Sequence, residues 1–99
     1  MDALKKTVHL AMMEYAKKGL NSQSYLTRSD DNTVLTVVTI PQQKAKPPFI
    51  SLLVRIIDQH ILIERDQNDK PLIDALLQAS IPRSQIILVY KGENTPETA

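Results

Sequence analysis

Two histidines, His9 and His60, and four acids, Asp58, Glu64, Asp66 and Asp69, are the side chains whose types invite a chemical reading. Histidine is the commonest general base, and grouped carboxylates can hold a divalent ion for phosphodiester cleavage. Neither histidine has a metal-binding or triad spacing. His9 falls off the apolar stripe of its helix and reads as solvated, while His60 lies beside a turn. Asp58 and Glu64 stand six residues apart, roughly 20 Å along an extended strand. Asp66 is further out still, and Glu64-Arg65-Asp66 lacks the lysine a nuclease would use. The plainer expectation is a solvated turn, with Glu64 paired across strands to Arg55 for little net stability.

Other chemistries fail for want of residues. There is no cysteine, which excludes disulfides and thiolate metal sites. Gly19 and Gly92 are the only glycines, so no glycine-rich phosphate loop exists. Serines and threonines are plentiful, yet none has a plausible general base beside it in sequence. No catalytic, cofactor-binding or metal-binding residue is expected, and no cofactor. Lys5, Lys6, Lys17, Lys18, Lys44 and Lys46 offer contacts to phosphate. The 12 basic residues are nearly balanced by 11 acids, however, and DNA binding usually needs a basic excess. No apolar run suits a signal peptide or membrane span. With the lack of cysteine, this reads as a cytoplasmic protein.

The elements that must position these residues follow from periodicity. Leu4, Val8, Ala11, Met12 and Tyr15 line one stripe of a helix over residues 3–18, with Asp2 as N-cap and Gly19 as its stop. Lys17 and Lys18 suit the negative end of its dipole. Ser22–Arg28 and Thr33–Ile40 read as a hairpin across the turn-forming Ser29-Asp30-Asp31-Asn32. Pro41 ends the second strand, and a polar loop runs to Pro48. Phe49–Ile57 and Ile61–Arg65 form a second hairpin. A two-residue Asp58-Gln59 turn sets Ile57 against His60, Ile56 against Ile61 and Val54 against Ile63. Ile50, Leu52, Val54, Ile56, Ile61 and Ile63 then share a core face.

Asn68 or Asp69 caps a second helix, with Pro71 in its first turn and Leu72, Ala75, Leu76 and Ala79 as its buried stripe. Pro82 ends it. Ile86–Tyr90 is apolar without alternation, as in an interior strand, and a right-handed crossover makes it parallel to a neighbour. The expected fold is α+β: a mixed sheet of about five strands with two helices, in the order α-β-β-β-β-α-β. Residues 1–90 form a single domain, and 91–99 a polar tail that frays. The second sheet face is mixed. Phe49, Leu53, Arg55, Ile57, Leu62 and Glu64 mark it as the candidate interaction face, an apolar patch rimmed by charge. Partner binding and self-association both fit it.

Two stretches carry a family resemblance. Ile56-Ile57-Asp58-Gln59-His60-Ile61-Leu62-Ile63-Glu64-Arg65-Asp66 and Leu76-Leu77-Gln78-Ala79-Ser80-Ile81-Pro82-Arg83-Ser84-Gln85-Ile86-Ile87-Leu88 resemble the XisI family, the fdxN-element excision controlling factors of cyanobacteria. Glu14-Tyr15-Ala16 resembles the end of that family's first helix. Gln59 stands where the family usually has glycine, Leu62 where tryptophan is common, and Ser80 where a glycine precedes Ile-Pro.

The resemblance implies a non-enzymatic accessory factor. It would act with an XisH-like partner and a site-specific recombinase in the DNA rearrangement of heterocyst differentiation. The alternatives are a DNA-binding protein using the lysine-bearing helix and loop, and a metal-dependent nuclease using Asp58, Glu64 and Asp66.

Overall fold

Two turns set the sheet, the first made by local polar chemistry and the second by backbone geometry. The structure, a computed structural model, describes residues 2–95. At residues 29–32 the Asp31 carboxylate accepts the hydroxyls of Ser29 and Thr33, at 2.7 Å each, and the Thr33 N–H at 3.1 Å. These bonds, the Thr33 hydroxyl foremost, hold the Asp31 carboxyl down to about 2, because each favours the ionised form. The turn folds β1 (Ser22–Arg28) back on β2 (Val34–Pro41), pairing Arg28 with Leu35 and Ser22 with Pro41.

The second turn joins β3 (Phe49–Ile57) to β4 (His60–Asp66). Asp58 and Gln59 both take positive φ, 49° and 64°, as a type I′ turn demands. The register is the expected one: Ile57 opposes His60, Ile56 opposes Ile61 and Val54 opposes Ile63.

The strands lie in the order β1-β2-β3-β4-β5, with β5 (Ile86–Leu88) parallel to β4 and the rest antiparallel. The chain therefore follows the expected α-β-β-β-β-α-β order. The last strand departs from expectation: β5 is an edge strand of three residues, not an interior one. Val89–Lys91 leaves the strand as a 3-10 turn. The outer edge of β5 is closed by Glu93, whose carboxylate accepts the Leu88 N–H at 2.8 Å and whose N–H reaches the Leu88 carbonyl at 3.2 Å. Arg83 donates to the Ile86 carbonyl and to Glu93. Residues 91–95 are thus held in place, with Thr95 buried, where fraying was expected. The rest of the tail lies outside the described residues.

Both helices cover one sheet face. Val8 and Met12 of α1 (Ala3–Met13) and Leu72 and Leu76 of α2 (Leu72–Gln78) are fully buried. Their floor includes Val37, Leu52, Val54, Ile61 and Ile63. The core is aliphatic, as a chain with four aromatics requires.

Asp2 caps α1, accepting the Lys5 N–H at 2.8 Å. The helix ends at Met13, short of the expected 18, because residues 17–19 spend their backbone groups on β1. Ser24 N–H donates to the Lys17 carbonyl and Gly19 N–H to the Ser22 carbonyl. Lys17 and Lys18 consequently lie outside the helix. Tyr15 packs beyond its end and donates its hydroxyl to the Lys70 carbonyl at 2.8 Å. Burial, then the charges of Asp66 and Asp74, raises its phenol pKa.

Pro71 is the N-cap of α2 and has no side-chain acceptor to offer. Neither Asn68 nor Asp69 supplies one. Asp66 does, accepting the Leu72 N–H at 2.7 Å. At the other end Ile81 N–H bonds the Leu76 carbonyl and Ser80 N–H the Leu77 carbonyl, the paired bonds of a Schellman stop. Ser80 holds its left-handed position at φ 67°.

Two register shifts decide which side chains face the helices. Val37 opposes Leu52 but Val38 opposes Ile50, leaving Ser51 as an extra residue. Leu53 opposes Arg65 but Val54 opposes Ile63, leaving Glu64 extra. Each bulge reverses the alternation beyond it. The first moves Ile50 off the core face, 39% exposed, contrary to the alternation expected for β3. The second brings Asp66 to the helix side, within reach of Leu72.

Candidate functional site

With both helices on one side, the opposite face is ordered in cross-strand rows. Tyr25, Val38 and Ile50 make one row, and Thr27, Thr36, Leu53 and Arg65 the next. A third runs Val34, Arg55, Leu62 and Ile87. The hydroxyls of Thr27 and Thr36 are hydrogen-bonded to each other. The rows differ sharply in exposure. Tyr25 is 51% exposed and Ile40, on the same face, 42%.

Leu62 is fully buried. It lies opposite Arg55, whose guanidinium donates from Nε at 2.9 Å and from Nη2 at 2.8 Å to Glu64 Oε2. The expected Arg55–Glu64 cross-strand pair is thus present, both side chains mostly shielded from solvent.

Of the six residues nominated from sequence, Leu53, Arg55, Ile57, Leu62 and Glu64 share this face. Phe49 does not, because the Ser51 bulge sets it opposite Thr39 on the helix side. The exposed apolar surface lies instead towards β1 and β2, at Tyr25, Ile40 and Ile50. These three were missed. Tyr25 and Ile40 alternate correctly in their own strands and were legible there, whereas Ile50 required knowledge of the bulge.

Both sheet edges are partly blunted. Lys17–Gly19 occupies the start of the β1 edge and Glu93 the β5 edge. Such closure disfavours strand-to-strand association.

The remaining candidates separate in space. Asp58 is in the β3–β4 turn, Glu64 on the open face and Asp66 on the helix side, so the three carboxylates do not converge. Among the described residues no group of three or more acids, histidines or cysteines could hold a metal ion. His60 has a buried Nδ1 with no hydrogen-bond partner among those residues. His9 lies 3.4 Å from the Arg28 guanidinium. The six lysines also divide. Lys5 and Lys6 are on α1, and Lys5 reaches the Asp31 carbonyl at 3.0 Å, at the β1–β2 turn. Lys17, Lys18, Lys44 and Lys46 lie at the other end of the sheet, before β1 and between β2 and β3. No described helix is long and apolar enough to cross a membrane.

These features define an α+β protein with a five-stranded mixed sheet, helices on one face and a partly apolar open face. The chain belongs to the XisI protein family, which matches residues 2–98. It is similar in fold to the fdxN element excision controlling factor XisI from Anabaena variabilis ATCC 29413, with a TM-score of 0.68 and 21% identity over 94% of this chain and 91% of that one. A XisI-like protein from the same organism gives a TM-score of 0.71 at 18% identity, over 95% and 90% of the two chains. No curated protein matches.

Proposed function

We propose that this protein is a non-enzymatic accessory factor that binds a protein partner through the open sheet face. The observation that carries this reading is the exposed row of Tyr25 and Ile50 across Val38, extended by Ile40, on a face that neither helix covers. Exposed aromatic and aliphatic side chains are what protein interfaces use. Membership of the XisI family suggests the context: control of site-specific excision of a DNA element, with an XisH-like partner. The rearrangement would be of the kind that accompanies heterocyst differentiation in cyanobacteria, and the setting would be cytoplasmic. A structural relative that bears the name of an excision controlling factor supports this context.

The test is co-expression with an XisH-like protein and capture through a tag on one chain. Tyr25→Asp and Ile50→Asp abolish the complex while leaving the melting temperature of the isolated protein nearly unchanged. If both variants retain the partner, the face is not the interface. If the pure protein is a dimer that these variants dissociate, the face binds a second copy and the partner reading fails. Leu62→Asp is unsuitable as a probe, because it places a carboxylate at a fully buried position.

A further inference from the structure

On the helix side of the sheet, beyond the helices, a cavity of about 250 Å³ is lined by Asn21, Ser22, Thr39, Pro41, Gln43, Lys46 and Phe49. It exists because of the Ser51 bulge, which turns Phe49 to this side opposite Thr39. No helix residue lines it. Its composition is unusual in this chain. The other notable cavity, between the helices, mixes Glu14 and Asp74 with Lys17 and Lys70, so its charges oppose one another. This one has no acid, one cation, two carboxamides, two hydroxyls and the side chain of Phe49, a residue 41% exposed.

Its inner wall is fixed. Thr39 is buried and its hydroxyl is bonded to those of Ser24, at 2.8 Å, and Ser51, at 3.2 Å. Ser51 in turn donates to the Val37 carbonyl. An exposed aromatic ring offers a stacking surface to any flat heterocycle. Carboxamides carry both donors and acceptors, matching the mixed edge of a nucleobase. An acid-free lining with a single lysine suits one phosphate.

We propose that this cavity binds one nucleotide, with the base on Phe49, its edge against Asn21 and Gln43, and the phosphate at Lys46. The site is separate from the open face on the other side of the sheet, so it stands or falls independently of the partner reading. Its ligand is a free mononucleotide or one unit of a single strand, which share this chemistry.

The test is amide chemical-shift titration of the isotope-labelled protein with AMP, adenosine, inorganic phosphate and a short oligodeoxyadenylate. The expected result is saturable shifts with AMP, confined to residues 21–22, 39–49 and their neighbours. Phe49→Ala weakens AMP about tenfold, in line with the loss of one stacked base. Lys46→Gln weakens AMP but leaves adenosine unchanged. Tighter binding of the oligonucleotide than of AMP assigns the site to single strands, and equal binding to free nucleotide. Should Phe49→Ala unfold, Phe49→Leu and Gln43→Ala carry the same comparison. Absence of saturable shifts at millimolar AMP overturns the proposal, as does phosphate alone reproducing the AMP shifts.

Discussion

The carboxylate of Asp66, the last residue of β4, accepts the N–H of Leu72, the first residue of α2, at 2.7 Å. Its other oxygen accepts the backbone and side-chain N–H groups of Asn68, at 3.1 and 2.9 Å. One residue therefore shapes the loop and caps the helix that follows. The Glu64 bulge makes this possible, since unbroken alternation would have sent Asp66 to the opposite face.

Asp66→Ala should accordingly cost about 1–2 kcal/mol, the upper part of the range for a lost helix cap. Urea unfolding at neutral pH measures it. A change below about 0.3 kcal/mol would mean that water replaces the carboxylate without loss.

Gln59 and Ser80 occupy left-handed backbone positions, φ 64° and 67°, where a side chain is strained. Glycine at either should stabilise the protein by about 0.5–1 kcal/mol, the relieved strain being partly offset by the greater freedom of the unfolded chain. The two sites lie on separate elements, so the double variant should show the sum. Thermal melts of the four proteins check both statements.

The open face should divide under mutation according to its rows. Leu62→Ala removes a fully buried side chain and should cost about 2–5 kcal/mol. Tyr25→Ser, at a half-exposed position, should cost under about 1 kcal/mol. Equal losses in denaturant unfolding would show that the β1 end of the face is as tightly packed as the β4 end.

Acid should act on the β1–β2 turn. The Asp31 carboxyl titrates at about 2 when folded and at about 3.9 when unfolded. Its depressed folded value means the contribution to stability is present above pH ~4 and is lost as pH falls through ~2. The side-chain carboxyl carbon of Asp31, followed by NMR, should titrate near the lower value. In Thr33→Val, which removes the largest of its hydrogen bonds, the midpoint should move up towards the ordinary one.

Much of the sheet was legible because it is written locally. Asp58-Gln59 between two apolar runs gives a two-residue turn, and a two-residue turn fixes every pair from Ile57–His60 to Val54–Ile63. The stripe of α1 and its Asp2 cap follow from spacing in the same way. Its end does not. The carbonyl of Lys17 is taken by Ser24, a contact that only the folded β1 can offer.

By itself, then, the sequence determined the element order, the β3–β4 register and the aliphatic core. Tertiary structure decided where the alternation breaks. A bulge shows in side-chain periodicity only where the alternation is clear, and Phe49, Ile50, Leu52 and Leu53 are apolar at both parities of β3. Ser51 is held by Thr39 and the Val37 carbonyl, and Glu64 by Arg55. Those two residues set which side Phe49, Ile50 and Asp66 face, and with that the cavity, the exposed row and the cap of α2.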